Sequence, residues 1–253
     1  MGNGDVISRQ KQEIRRGIWS EMERANVARF PKPVYGRIPN FEGADLAAQK
    51  IREIEAFKGA KTVFCCPDSP QRSVRSIILK EGKTLVMASP RLREDFVLLN
   101  PDEINSRQYA EASTISGAFK YGERVGPSSL KIDFKVTGSV AVTVGGGRVG
   151  KGGGYSDLEY ALLREFKCIA EATPIATTVH DLQVVVWVPM DPSHDMPLDY
   201  IATPTRLIET RTEMRRPRGI SWGLLSAKQI REIPLLRLLE ESQQRDPSQS
   251  KPT

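Results

Sequence analysis

The amino-acid sequence predicts an α/β fold built on a largely parallel sheet. Two observations carry that expectation. Apolar runs of five or six residues alternate with amphipathic stretches of helical period, the pattern of buried strands each followed by a covering helix. Hydrophobic residues make up 39% of the chain and charged residues 27%, enough apolar side chain for a sizeable core and a charge content near the globular average.

The elements follow in order. Residues 8–28 form a strongly charged helix whose stripe Ile14, Ile18 and Met22 recurs every fourth residue. Lys11, Arg15 and Arg16 share about one and a half of its turns, and Pro31 and Pro33 close it. A second helix is expected over 43–57, with Leu46, Ile51, Ile54 and Phe57 inward. Lys61–Cys66 reads as a buried strand, Pro67-Asp68-Ser69-Pro70 as a turn, and Ser73–Glu81 as a helix facing the core through Val74, Ile77 and Ile78. Strands are expected at Thr84–Ala88, Ser139–Val144, Ile175–Val179 and Val184–Val188, with a helix at Ser156–Cys168. A last helix covers 229–241. At 253 residues the chain suits one large domain or two small ones; with no repeat or long linker, residues 1–241 read as one domain. The polar tail 242–253 is expected to be disordered.

Lys and Arg number 37 against 31 acidic residues, a formal charge of +6. That excess suits anionic partners such as nucleotides, polyglutamate tails or nucleic acid, or else a solvated basic surface. The cysteines are Cys65, Cys66 and Cys168. An adjacent pair does not readily bridge to itself and no C-x-x-C spacing exists, which argues against a disulfide scaffold or zinc site; Cys65 and Cys66 read as strand packing. No apolar run approaches the roughly 20 residues of a membrane span, and the first sixteen residues lack a signal-peptide apolar core. The expectation is no membrane partner and a cytoplasmic location.

The clearest chemical signal runs from Gly145 to Asp157, where seven of thirteen residues are glycine. The run lies between an expected strand and helix. Glycine allows close backbone approach and positive φ, and free N–H groups at a helix N-terminus attract anions. Arg148 and Lys151 add charge. A flexible surface loop is the plainer reading; the strand–loop–helix placement and the two cations favour a phosphate cradle. It is not a Walker A loop, and no dinucleotide fingerprint is present. Asp157 either caps the next helix or holds Mg²⁺ against a phosphate; from sequence alone the cap is preferred. His180-Asp181 and His194-Asp195 contain the only histidines. With no H-E-x-x-H and no nucleophile elbow, zinc hydrolysis and a Ser–His–Asp mechanism are disfavoured. His180 ends a strand, where α/β active sites lie, or is an ordinary loop histidine.

Several strings together resemble a known family. Gly150-Lys151-Gly152-Gly153-Gly154-Tyr155-Ser156-Asp157 is similar to the glycine loop of 5-formyltetrahydrofolate cyclo-ligases. His194-Asp195-Met196-Pro197-Leu198-Asp199 resembles a downstream acidic segment of that family, Lys11, Ile14 and Arg15 its first helix, and Ser89-Pro90-Arg91-Leu92 its mid-chain Pro-Arg segment. Gly36-Arg37-Ile38-Pro39-Asn40-Phe41, Thr177-Thr178-Val179-His180-Asp181 and Thr203-Pro204-Thr205-Arg206 resemble a divergent branch, the methenyltetrahydrofolate synthetase domain-containing proteins. The resemblance covers residues 8–208. It implies a three-layer α/β/α fold of the NagB/RpiA/CoA-transferase-like type. It also implies ATP- and Mg²⁺-dependent conversion of 5-formyltetrahydrofolate to 5,10-methenyltetrahydrofolate: ATP phosphorylates the formyl oxygen, N10 attacks, and phosphate leaves. Such a step needs positioning and charge neutralisation above all.

By resemblance, Lys11, Arg15, Arg148, Gly150, Lys151, Gly152, Gly153, Gly154 and Tyr155 bind ATP, Lys151 and Tyr155 are catalytic, and Asp157 and Asp195 hold the metal. Asp68 and Arg91 are the expected substrate contacts. Ser156 stands where the family has a second tyrosine, and Asp68-Ser69-Pro70-Gln71-Arg72 lacks the family's folate-contacting glutamate. Three alternatives follow: an ATP-dependent enzyme with another substrate; a non-catalytic nucleotide- or RNA-binding protein on the same fold, with Arg211–Arg218 as basic patch or solvated loop; and a sugar-phosphate isomerase or acyl-CoA transferase, for which no catalytic glutamate motif is present. Aromatic residues are only 7%, so base stacking on RNA has little sequence support.

Overall fold

The computed structural model describes residues 3–89, 92–93 and 96–245. The first helix, α1 (Asn3–Arg24), starts and stops earlier than the charged stretch suggests. Asn26 takes a left-handed φ of 54°, and the Val27 and Asn26 N–H groups return to the Met22 and Glu23 carbonyls. This is a Schellman closure. Pro31 and Pro33 therefore lie beyond the helix, in the connection between the paired two-residue strands β1 (Ala28–Arg29) and β2 (Asn40–Phe41).

The helix expected at 43–57 is two helices, α2 (Ala44–Ile51) and α3 (Glu55–Gly59). Ile54 between them is extended, with ψ 120°, which lets its side chain drop into the core. Ala47, Ala48 and Ile51 face inward, whereas Leu46 is exposed. Then come β3 (Thr62–Cys65), α4 (Arg72–Lys80) and β4 (Thr84–Met87), close to expectation. Val74, Ile77 and Ile78 of α4 are buried. Four elements follow that the apolar pattern did not mark: β5 (Phe96–Leu99), α5 (Tyr109–Ala112), α6 (Ile115–Tyr121) and β6 (Glu123–Val125).

The next sheet strand is β7 (Phe134–Thr137), not 139–144. Its four residues are all buried, but Lys135 interrupts the apolar run that would have marked it. The expected strand instead contributes β8 (Ala141–Val142), which pairs with β9 (Arg148–Val149) as a short antiparallel ladder off the main sheet. Helix α7 (Tyr155–Glu165) and β10 (Ile175–Thr178) follow. Residues 184–188 make only one bridge, Val184 to Val142, and Val186 and Trp187 are exposed. The strand in that region is β11 (Tyr200–Ala202), with β12 (Leu207–Glu209) beside it. The last helix splits into α8 (Ala227–Glu232) and α9 (Pro234–Arg245), because proline suits a first turn and cannot continue an existing helix. Helix α9 passes residue 241, the expected end of the domain, and the remaining tail lies outside the described residues.

The main sheet has the order β12-β11-β10-β7-β3-β4-β5-β6. Its five central strands, β11 to β4, are parallel, and the edges are antiparallel. Alternate strand residues face opposite ways. Val63, Cys65, Leu85 and Val136 pack with α2 and α4 on one side; Phe64, Val86, Phe96 and Ile201 pack with α7 and α9 on the other. The result is three layers. A third cluster joins α1 to β2, β8 and β9 through Trp19, Met22, Phe41 and Val149. That packing brings α1 to the carboxyl ends of the parallel strands, where ligand crevices of open α/β sheets form.

Candidate active site

Asp68 follows β3, Gly138 follows β7, and the glycine loop leads from β9 into α7. Together with α1 they enclose a cavity of about 560 Å³, within the usual size range of small-molecule sites. The cavity is lined by Lys11, Arg15, Asp68, Arg148, Gly150 to Asp157, and Asp195. Among the described residues, every residue expected at the site is therefore present. Arg91, the other expected substrate contact, lies outside them.

Each cation is held by a specific partner. Lys11 and Asp195 form a buried ion pair. Arg15 donates Nε–H to the Gly150 carbonyl at 2.7 Å and Nη1–H to Gln12 at 3.2 Å. Arg148, itself buried, donates to the Gly138 carbonyl at 3.0 Å and to Asp157 Oδ1 at 2.5 Å; its buried Nε has no acceptor among the described residues. Lys151 is half-exposed and donates to Asp68 Oδ1 at 2.9 Å.

The loop backbone supplies the rest. Gly152 and Gly154 have φ of +101° and +70°, conformations that favour glycine. A Cβ at Gly152 would lie 3.3 Å from the Arg15 guanidinium carbon. Gly154 is the N-cap of α7 and supplies no side-chain cap. The N–H groups of Gly152, Gly153 and Gly154 meet no acceptor among the described residues. Unengaged N–H groups, a helix N-terminus and surrounding cations constitute an anion site. The orphaned Arg148 Nε adds a donor that a bound anion would satisfy.

Asp157 is not the cap that the sequence suggests. It lies in the first turn of α7, and its Oδ1 accepts from Arg148 and from the Met196 N–H at 3.1 Å. Burial pushes its pKa up, but the Arg148 charge and hydrogen bonds outweigh burial and leave it below the ordinary value. The Met196 bond also sets Asp157 beside Asp195. Asp195 Oδ2 accepts from the Asp191 N–H at 2.6 Å, and Oδ1 lies 3.4 Å from His194 Nε2. Burial lowers the pKa of Lys151, but the charge of Asp68 more than reverses this, and the net shift is upward.

These positions are scattered from residue 11 to 195, yet one family motif spans them. The family model for 5-formyltetrahydrofolate cyclo-ligases matches residues 7–204. The chain belongs to the 5-formyltetrahydrofolate cyclo-ligase family. A bovine methenyltetrahydrofolate synthase domain-containing protein is 41% identical over 238 residues, 92% of this chain and 63% of the relative. The human protein of that description is 40% identical, over 94% of this chain and 63% of its own length. The chain thus spans under two thirds of the length of these relatives. The solution structure of 5,10-methenyltetrahydrofolate synthetase from Aquifex aeolicus aligns with a TM-score of 0.50 at 21% identity, covering 79% of this chain and 93% of that one; it supports the shared α/β fold.

Within this family framework some expected residues have other duties. His180 caps a short 3₁₀ turn through Nδ1 and packs edge-on against Phe41. Asp181 accepts from the Thr203 and Thr205 hydroxyls at 2.8 and 2.6 Å. Neither lines the cavity. Ser156, in place of the second tyrosine, bonds Thr137 Oγ1 at 2.6 Å. Arg216, in the basic run, is tied to Asp199 and to the Glu171 and Thr173 carbonyls. The cysteines are buried; burial pushes the Cys65 thiol up to about 12.

The structure also adds residues that sequence reasoning missed. Asp191 lines the cavity beside Asp195, together with His194, which the sequence marked only as part of a His-Asp pair and an acidic segment. So do residues 219–221, 224, 225 and 229, a segment with no motif of its own. Under the site, Lys135 and Glu159 pair at 2.6 Å, both buried.

Proposed function

We propose that the chain binds ATP with Mg²⁺ and converts 5-formyltetrahydrofolate to 5,10-methenyltetrahydrofolate through a phosphorylated formyl group. The observation that carries this reading is the gathering of Lys11, Arg15, Arg148 and Lys151 around unengaged loop N–H groups in one cavity. That set matches a triphosphate in charge and donors. ATP would supply the phosphoryl group that turns the formyl oxygen into a leaving group. Lys11, Arg15 and Arg148 neutralise phosphate oxygens, and Gly152 to Gly154 cradle them. Lys151 is the cation with most freedom, being half-exposed and held by one bond. It is placed to follow charge as it moves onto the acceptor. Tyr155, at the start of α7, lines the same wall.

A Mg²⁺ ion commonly keeps several waters and takes one or two carboxylates plus substrate phosphates. Asp157 and Asp195 fit that role, because Asp157 Oδ2 accepts no hydrogen bond among the described residues and Asp195 Oδ1 has only His194 nearby. Asp68, bonded to Lys151 and packed against Gly138, is placed to meet the acceptor. The test is absorbance at the methenyl-folate band with ATP, Mg²⁺ and 5-formyltetrahydrofolate. The expected result is an ATP-dependent rise that disappears in Lys151→Ala and Asp157→Ala. No rise, with ATP binding intact by calorimetry, would refute folate cyclisation.

A further inference from the structure

Arg75, on α4, does not line the cavity and is only 2% exposed. A buried guanidinium ordinarily has a carboxylate partner. No acidic side chain pairs with Arg75 among the described residues; its donors go to three backbone carbonyls. Nε–H donates to Ser113 at 2.7 Å, and Nη1–H donates to Cys66 at 2.6 Å and to Asp68 at 3.0 Å. Cys66 is itself tied to the sheet, through its N–H to the Val136 carbonyl of β7 at 3.0 Å. The guanidinium therefore joins the end of β3, the turn that carries Asp68, and Ser113 at the end of α5.

Asp68 is the N-cap of the 3₁₀ turn Ser69–Gln71, with φ −62° and ψ 152°. An aspartate there usually folds its carboxylate back onto the first N–H groups of the turn. Asp68 makes no such bond. Its Oδ1 accepts from Lys151 at 2.9 Å, and its Oδ2 lies 3.0 Å from where a Cβ of Gly138 would stand. With no local bond to fix the carboxylate, its direction is set by the backbone that bears it. Arg75 grips that backbone on both sides of Pro67, whose ring fixes φ between the two carbonyls. We propose that Arg75 is a positioning residue for the acceptor: it holds the Cys66–Asp68 turn so that Asp68 meets the folate beside Lys151. The inference rests on the cyclo-ligase reading of the site. A lysine at this position retains the charge but not the two nitrogens aimed at separate segments.

Steady-state kinetics of the full chain, with ATP and 5-formyltetrahydrofolate each varied in turn, test the assignment in Arg75→Lys made alone and together with Asp68→Asn. Alone, Arg75→Lys should raise KM for the folate about tenfold, the scale of one charge-assisted hydrogen bond lost, and leave KM for ATP within about twofold. In the Asp68→Asn protein the same change should move the folate KM by less than about twofold, because the contact that Arg75 positions is already gone. A rise of the same size in both backgrounds would overturn the proposal. So would a parallel rise in both KM values, or a fall in kcat alone, the pattern of a loosened fold. No turnover in the unsubstituted protein would overturn it together with the cyclo-ligase reading. If Arg75→Lys does not fold, the unsubstituted protein decides: the Arg75 Nε–H signal in NMR should shift on adding the folate and stay in place on adding tripolyphosphate. The reverse, or no response to bound folate, would overturn the proposal.

Discussion

Replacing Lys135 with methionine isolates the buried charge pair beneath the site. Lys135 is fully buried and Glu159 nearly so, with Nζ 2.6 Å from Oε1 and 3.8 Å from the Phe64 ring centre. Methionine retains most of the volume, so the loss is chiefly electrostatic. Burial already raises the pKa of Glu159, against the pull of Lys135. Without Lys135 the carboxyl takes up a proton rather than remain as an unpaired buried charge, which caps the penalty. Holding a carboxyl of ordinary pKa about 4.3 neutral at pH 7 costs about 3.7 kcal/mol, and at pH 5 about 1 kcal/mol. Lys135→Met should therefore destabilise by about 3–4 kcal/mol at pH 7. The sign follows from the raised folded pKa: the folded variant binds the proton that the unfolded chain has lost, so stability returns as pH falls. Urea denaturation at pH 7 and pH 5 measures both values. The double variant Lys135→Met, Glu159→Leu should recover to within about 1 kcal/mol of the unsubstituted protein at pH 7. A single-variant loss under about 1 kcal/mol at pH 7, or one no smaller at pH 5, would refute this reasoning.

Asp157→Asn should cost about 3 kcal/mol at pH 7, because Arg148 keeps its burial and loses its counter-charge. Asp157 has a lowered folded pKa, so its contribution is complete above the unfolded value of about 3.9 and vanishes as pH falls through the folded one; the gap between the two proteins in acid denaturation should close below about pH 4. Gly154→Ala places a side chain at φ +70° and should cost about 1–2 kcal/mol in chemical denaturation while also weakening tripolyphosphate binding. Cys65, Cys66 and Cys168 are buried, with thiols raised above the ordinary range; iodoacetamide at pH 8 should leave all three unlabelled by mass spectrometry until urea unfolds the chain.

The alternation of short apolar runs with helical periods determined the α/β class by itself, because strands such as Thr62–Cys65 and Thr84–Met87 are buried on both faces and must be apolar. The glycine loop was equally legible, since its backbone conformations at Gly152 and Gly154 favour glycine. Asp195, Lys11 and Arg15 were found through motif resemblance, with no local signal joining them. Tertiary structure decided the remainder. Strand β7 escaped notice because Lys135 sits mid-strand, and only the buried Glu159 one helix away makes a lysine tolerable there. Asp157 reads locally as a cap, yet Arg148 and the Met196 N–H claim it across nine and thirty-nine residues of sequence. The cavity lining at residues 219–221, 224, 225 and 229 has no motif, because its place there comes from where Glu165 and Ser193 anchor the segment. Periodicity reports what each residue must do for its own element; which distant charges meet depends on how the layers close, and that is a property of the folded chain.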